Sequence, residues 1–142
     1  MQLVDVDVLI NAFRADAREH AAYHSWLEEL LAGHQRYAMS ELVLSAVVRI
    51  LTDKRIYGNP ETLETALGYA EFLSAQPHCV TVRPGPQHWQ IFSRLCLQAH
   101  IRGPIVSDAY HAALAIEHGC EWITADRHFA RFPGLRWRHP LD

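Results

Sequence analysis

The sequence predicts an α/β protein, a three-layer sandwich in which a short, mostly parallel central sheet is flanked by helices. Three observations carry this reading. Short apolar runs that read as strands alternate with longer stretches at helical spacing. Gly, Pro and Asn punctuate the junctions between them. Each helical stretch is long enough to serve as the crossover that parallel strands require. With 142 residues and 49% hydrophobic composition, one domain spanning residues 1–142 is expected, able to bury a sizeable core.

Taken in order, Gln2 to Val6 reads as a buried strand ending around Asp5, and Val8 to Phe13 continues at helical spacing. Asp7 either caps that helix, the favoured reading, or adds its charge to a site. From Asp16 to Leu31 the residues Ala22, Trp26, Leu27, Leu30 and Leu31 recur on one helical face, and Gly33 stops it. Tyr37 to Met39 is a minimal second strand. Ser40 is a suitable N-cap for a helix carrying Leu42, Val43, Val47, Ile50 and Leu51, with Glu41 in its first turn. After a loop over Asp53 to Asn59, Pro60 is expected at the first position of a helix reaching Ala75. Val80 to Val82 supplies a third strand, and Pro84-Gly85-Pro86 a turn. Gln87 to His100 forms a helix that Gly103-Pro104 ends. Ser107 is expected to cap the helix Asp108 to His118. Glu121 to Thr124 is a fourth strand and Leu135 to Trp137 a fifth.

The net charge of −3 excludes a polycation that coats nucleic acid without selectivity. Of the 13 basic residues only Lys54 is a lysine, and Arg127, Arg131, Arg136 and Arg138 crowd the C-terminal end. Arginine's planar fork suits phosphate oxygens, although a solvated surface explains the same cluster. Cys79, Cys96 and Cys120 are odd in number and form no C-x-x-C pair, so neither a disulfide framework nor a thiolate zinc site is indicated. No apolar run is long enough to span a bilayer and no secretory leader is recognisable, which predicts a cytoplasmic protein without membrane contact.

In open parallel sheets ligands bind beyond the carboxyl ends of the strands. Asp5 follows the first strand, Glu41 the second and Asp126 the fourth, so three acids share one sheet edge. Asp108 joins them if the first turn of its helix points the same way. Gathered carboxylates repel one another, and a hard divalent cation such as magnesium, or manganese, relieves the conflict. Each acid also has an ordinary reading as a turn former or helix cap; their common location favours a site. Asp5, Glu41 and Asp126, and Asp108 on that condition, are the candidate acids for such an ion.

Leu3-Val4-Asp5-Val6-Asp7-Val8-Leu9-Ile10, Ser40-Glu41-Leu42-Val43-Leu44-Ser45, Val106-Ser107-Asp108-Ala109-Tyr110-His111-Ala112-Ala113 and Ile123-Thr124-Ala125-Asp126-Arg127-His128-Phe129 together resemble the PIN-domain ribonucleases, and within them the VapC-type toxins of bacterial toxin–antitoxin pairs. The resemblance spans nearly the whole chain. It implies a magnesium-dependent endoribonuclease with Asp5, Glu41, Asp108 and Asp126 at its site, supported by Thr124 and Asp7. It also implies an RNA substrate, a cognate VapB-like antitoxin that blocks the cleft, and a homodimer in a bacterial cytoplasm. Asp7 stands where the family usually has Asn, Ser or Thr, and His128 where it often has a second acid. Arg49, Arg127 and Arg131 are candidate RNA phosphate contacts.

Two other readings stay open. Asp5-Val6-Asp7 after a strand resembles the nucleophile motif of haloacid-dehalogenase-type phosphatases, though the single lysine, Lys54, sits in an early loop. A non-catalytic module that binds RNA or protein is the third. His20 and His24 are spaced for zinc but lack the H-E-x-x-H motif. His111 can orient substrate, although a histidine on an Ala-rich helix is more often structural.

Overall fold

A computed structural model describes residues 1–142. Five strands, β1 (Gln2–Val4), β2 (Tyr37–Ser40), β3 (Cys79–Val82), β4 (Glu121–Ile123) and β5 (Trp137–Arg138), form one sheet in the order β3-β2-β1-β4-β5. Every pairing is parallel, so the sheet is wholly rather than mostly parallel. Six helices connect the strands: α1 (Val6–Phe13), α2 (His20–Ala32), α3 (Glu41–Leu51), α4 (Leu63–Ser74), α5 (His88–Ala99) and α6 (Val106–Glu117).

The chain steps outward from β1 to β2 to β3, then returns across β1 to place β4 on its other side. Right-handed crossovers therefore lay α1 to α4 on one face and α5 and α6 on the other, the predicted sandwich. Consistent with this, α1 packs on α2 and α3, α3 packs on α4, and α5 packs on α6. Because both faces are covered, the strands read as apolar runs: Leu3, Val4, Tyr37, Ala38, Met39 and Trp122 are fully buried. Ala109, Ala112, Ala113 and Ala115 give α6 a flat surface, fully buried against its neighbours. The three cysteines are free, and no helix is long and apolar enough to cross a membrane.

Three local expectations are corrected. Asp5, not Asp7, caps α1: its backbone is extended and its side chain accepts from the Val6 amide at 2.6 Å. Pro60 does not open α4, which starts at Leu63 under a Thr62 cap; the Glu61 amide is instead spent on the Leu51 carbonyl at the end of α3. Ser107 does not cap α6, because a 3-10 turn over Gly103–Ile105 runs directly into that helix and the Ser107 hydroxyl donates back to the Pro104 carbonyl.

Candidate active site

Reversal of the chain's direction across the sheet occurs between β1 and β4, and a crevice opens beyond the carboxyl ends of strands at such a point. Asp5 leaves β1 there and Asp126 follows β4. The two ends are registered by Val4 opposite Ile123 and by the Asp5 amide donating to the Ile123 carbonyl at 2.9 Å. Asp7 enters from the first turn of α1, and Asp108 from the first turn of α6. All four acids line one cavity of about 420 Å³, with Asn11, Arg49 and His111 among its other walls.

Asp5 is the fixed point of this group. It is 7% exposed; one oxygen caps α1, and the other accepts from the hydroxyl of the fully buried Thr124 at 2.6 Å. The same hydroxyl accepts from the Asp126 amide at 3.0 Å, so Thr124 ties the two acids together. Burial first, then the neighbouring charges of Asp7 and Asp108, push the Asp5 carboxyl well above the usual carboxylate range. Asp7, whose carboxylate accepts from the Ala125 amide at 3.4 Å, is pushed up to about 6, mainly by burial. Burial and the charge of Asp126 raise Asp108 as well. Asp126 caps the short turn Arg127–Arg131 and accepts from both the amide and the ring of His128.

Glu41 is not part of this pocket. Its exposed carboxylate pairs with Arg83 at 2.7 Å and faces a separate, more apolar cavity of about 720 Å³ walled by Phe92, Tyr110 and Leu114. Helix geometry is the reason: Glu41 lies nine residues before Ile50, about two and a half turns, so the two project to opposite sides of α3. The acid pocket receives Ala46, Arg49 and Ile50 from this helix instead. Arg127 is also drawn away, held by Asp142 at 2.8 Å. Arg131 donates to the His128 carbonyl, and its charge acts on Asp108.

One pocket residue, Asn11, escapes simple sequence reasoning. Asn11 sits one turn after Asp7, and that i, i+4 spacing was the available signal. His128 fastens Asp126 through a contact only two residues away. No three of the acidic side chains stand close enough here to hold an ion by themselves. Their chemistry still fits one: all donors are hard oxygens, no thiolate is present, and burial burdens the group with negative charge. Such a set suits a magnesium or manganese ion that keeps part of its water shell rather than one caged wholly by protein.

Comparison with known proteins bears on the fold and the lineage. The family model described as PIN domain matches residues 3–135. VapC ribonuclease Mb2897 of Mycobacterium bovis is 41% identical over 142 residues, covering 100% of this chain and 97% of that protein. Among solved structures, VapBC2 from Rickettsia felis bound to a DNA fragment of its promoter superposes with a TM-score of 0.71 at 18% identity, covering 96% of each chain. Mycobacterium tuberculosis VapC20, described as a sarcin-ricin loop cleaving toxin, does so with a TM-score of 0.64 at 18% identity, covering 96% of this chain and 99% of that one. The structures share the fold, while the family model and the full-length relative settle the lineage: the chain belongs to the PIN-domain family, among the VapC ribonucleases.

Proposed function

We propose that this protein is a magnesium-dependent endoribonuclease and the toxin of a toxin–antitoxin pair. The observation that carries the proposal is the convergence of Asp5, Asp7, Asp108 and Asp126 in one crevice at the switch point of the sheet, with Asp5 almost fully buried. Relatives named ribonucleases point to RNA as the substrate. Asp5, Asp108 and Asp126 hold the cation, and manganese can replace magnesium. A bound divalent ion supplies Lewis acidity at neutral pH. Thr124 orients Asp5 and sets its distance from Asp126. Arg49 and Arg131 offer guanidinium groups to the RNA backbone at the pocket wall and rim.

A VapB-like antitoxin is the proposed partner, by analogy with the VapBC complex of similar fold. Homodimer formation is proposed with it. Exposed Leu42 lines the apolar cavity beside Glu41, and exposed Trp89 packs on Phe92 in its wall, which gives either partner surface to cover. The phosphatase reading is disfavoured because Asp5 is almost fully buried with each oxygen held by a short hydrogen bond, and the single lysine, Lys54, does not line its pocket.

The test is cleavage of a structured RNA mixture by antitoxin-free protein with magnesium, with chelator, and with Asp126→Asn alongside. Magnesium-dependent cutting that the variant lacks, with an unchanged circular dichroism spectrum, is expected. Equal cutting by the variant removes Asp126 from the site, and cutting that survives the chelator overturns the metal requirement.

A further inference from the structure

His111 follows Asp108 by one turn of α6 and lines the same pocket, yet nothing in the cleavage chemistry above uses it. Its ring is fixed: it stacks on the buried Trp122 with centroids 5.4 Å apart and planes 18° from parallel. Nδ1 is buried and has no hydrogen-bond partner, and neither has the Trp122 indole nitrogen beside it. Two orphaned polar atoms in one stacked pair are an expensive arrangement, because each has given up its water for nothing. A leucine or phenylalanine at 111 would fill the same volume without that loss. The fold alone therefore does not account for a histidine here.

The chemistry of the pocket does. Burial, with the His88 ring behind, keeps the imidazole neutral, its pKa lowered to about 4. A neutral ring carries one proton. Nδ1 is closed off without a partner, and the ring lines the pocket that holds Asp5, Asp108 and Asp126, so a proton can be offered to a bound group from Nε2 alone. As the Nε2–H tautomer the ring gives the pocket an uncharged N–H donor, held in place by its stacking on Trp122. A cationic side chain at this point would pair with Asp108 and compete with any divalent ion for the carboxylates. A neutral donor avoids that competition while still binding an anionic oxygen.

We propose that His111 is a substrate-binding residue that donates a hydrogen bond from Nε2 to a phosphate oxygen of the RNA strand lying in the acid pocket. This rests on the nuclease reading and adds to it a donor that the carboxylates lack. The test compares wild type, His111→Leu, His111→Gln and Asp126→Asn on one cleaved RNA oligonucleotide, with kcat, KM and melting temperature measured for each. His111→Leu is expected to lower kcat/KM roughly ten- to hundredfold, the range for a lost hydrogen bond to a charged group, while its melting temperature holds or rises because the orphaned nitrogen is gone. Gln, whose terminal amide reaches the position of Nε2, is expected to recover activity to within a few-fold. A Leu variant with wild-type kcat/KM overturns the proposal, as does one that loses activity only in step with a lowered melting temperature and without rescue by Gln. Wild-type protein that cuts no RNA fells the nuclease reading and this inference together, so the two failures are distinguishable.

Discussion

Replacing Asp7 by Asn removes a charge from the pocket while keeping the oxygen that accepts from Ala125. The buried carboxyl of Asp7 has a pKa of about 6 in the folded protein against 3.8 in the open chain. Between those values the native state still holds a proton that the unfolded chain has released, so stability falls as pH rises through the window. Two units at 1.36 kcal/mol each make the penalty about 3 kcal/mol once the pH exceeds the folded value. Asp7→Asn should therefore be more stable than wild type by up to about 3 kcal/mol at pH 7.5, and no more stable near pH 4. Urea titrations in chelator at the two pH values measure this. With a slope of about 2 kcal/mol per molar, the midpoints should separate by roughly 1.5 M at pH 7.5 and coincide at pH 4. Magnesium should narrow the gap by stabilising the wild type, since a cation offsets the charge that the substitution removes. A separation that is the same at both pH values, or a variant less stable at pH 7.5, refutes the assignment of burial cost to Asp7. Asp7 is also the second-largest cause of the raised Asp5 pKa, so the acid limb of the cleavage profile should move to lower pH in the variant.

Three further outcomes are expected. Thr124→Val keeps shape but strips the hydroxyl that donates to Asp5 and accepts from the Asp126 amide; a loss of about 2–4 kcal/mol in urea titration and a further rise of the Asp5 pKa should follow, and unchanged stability would show that the hydroxyl is dispensable. Glu41→Ala, at an exposed residue paired only with Arg83, should leave RNA cleavage within about threefold and stability within about 1 kcal/mol; abolished cutting would return Glu41 to the site. Gly85→Ala would put a methyl group 2.8 Å from the Glu117 carboxylate, which accepts from the Gly85 and Gln87 amides. Thermal melting should register a loss of about 1–3 kcal/mol, and an unshifted melting curve would show that the carboxylate moves freely.

Most of the architecture was legible because it depends on periodicity and punctuation along the chain. The alternation of strands and helices, and the return of Asp5 and Asp126 to one edge, follow from apolar spacing alone. What escaped depends on contacts distant in sequence or on side-chain direction. Pro60 is a good helix opener by local rules, but Arg14 reaches across to the Asn59 carbonyl and α3 claims the Glu61 amide, holding that segment extended. Glu41 was visible as an acid after a strand. Its direction was not, since a first-turn residue projects to either side of the sheet edge according to how α3 is rolled, and Arg83 on the far side captures it. Arg127 looked available to RNA until Asp142, 15 residues on, closed on it. Asp7 looked like a cap because caps are inferred from residue type, whereas backbone conformation gives that role to Asp5.

Asp5, directly after β1, ties that strand to the start of α1 and to the end of β4 through one carboxylate and one amide. A change there that removes both acceptor oxygens is consequently also a folding lesion, and chains carrying it are cleared by proteases rather than accumulating as inert protein. Asp108 sits in the first turn of α6 without capping it, so its charge can be lost while the scaffold persists. In cells selected for escape from the activity, lesions at Asp5 will register as missing protein. Lesions at Asp108 will register as a full-length decoy that still sequesters whatever normally binds the intact chain. Abundance and partner occupancy, measured together across such survivors, thus report which acid was struck before any gene is read.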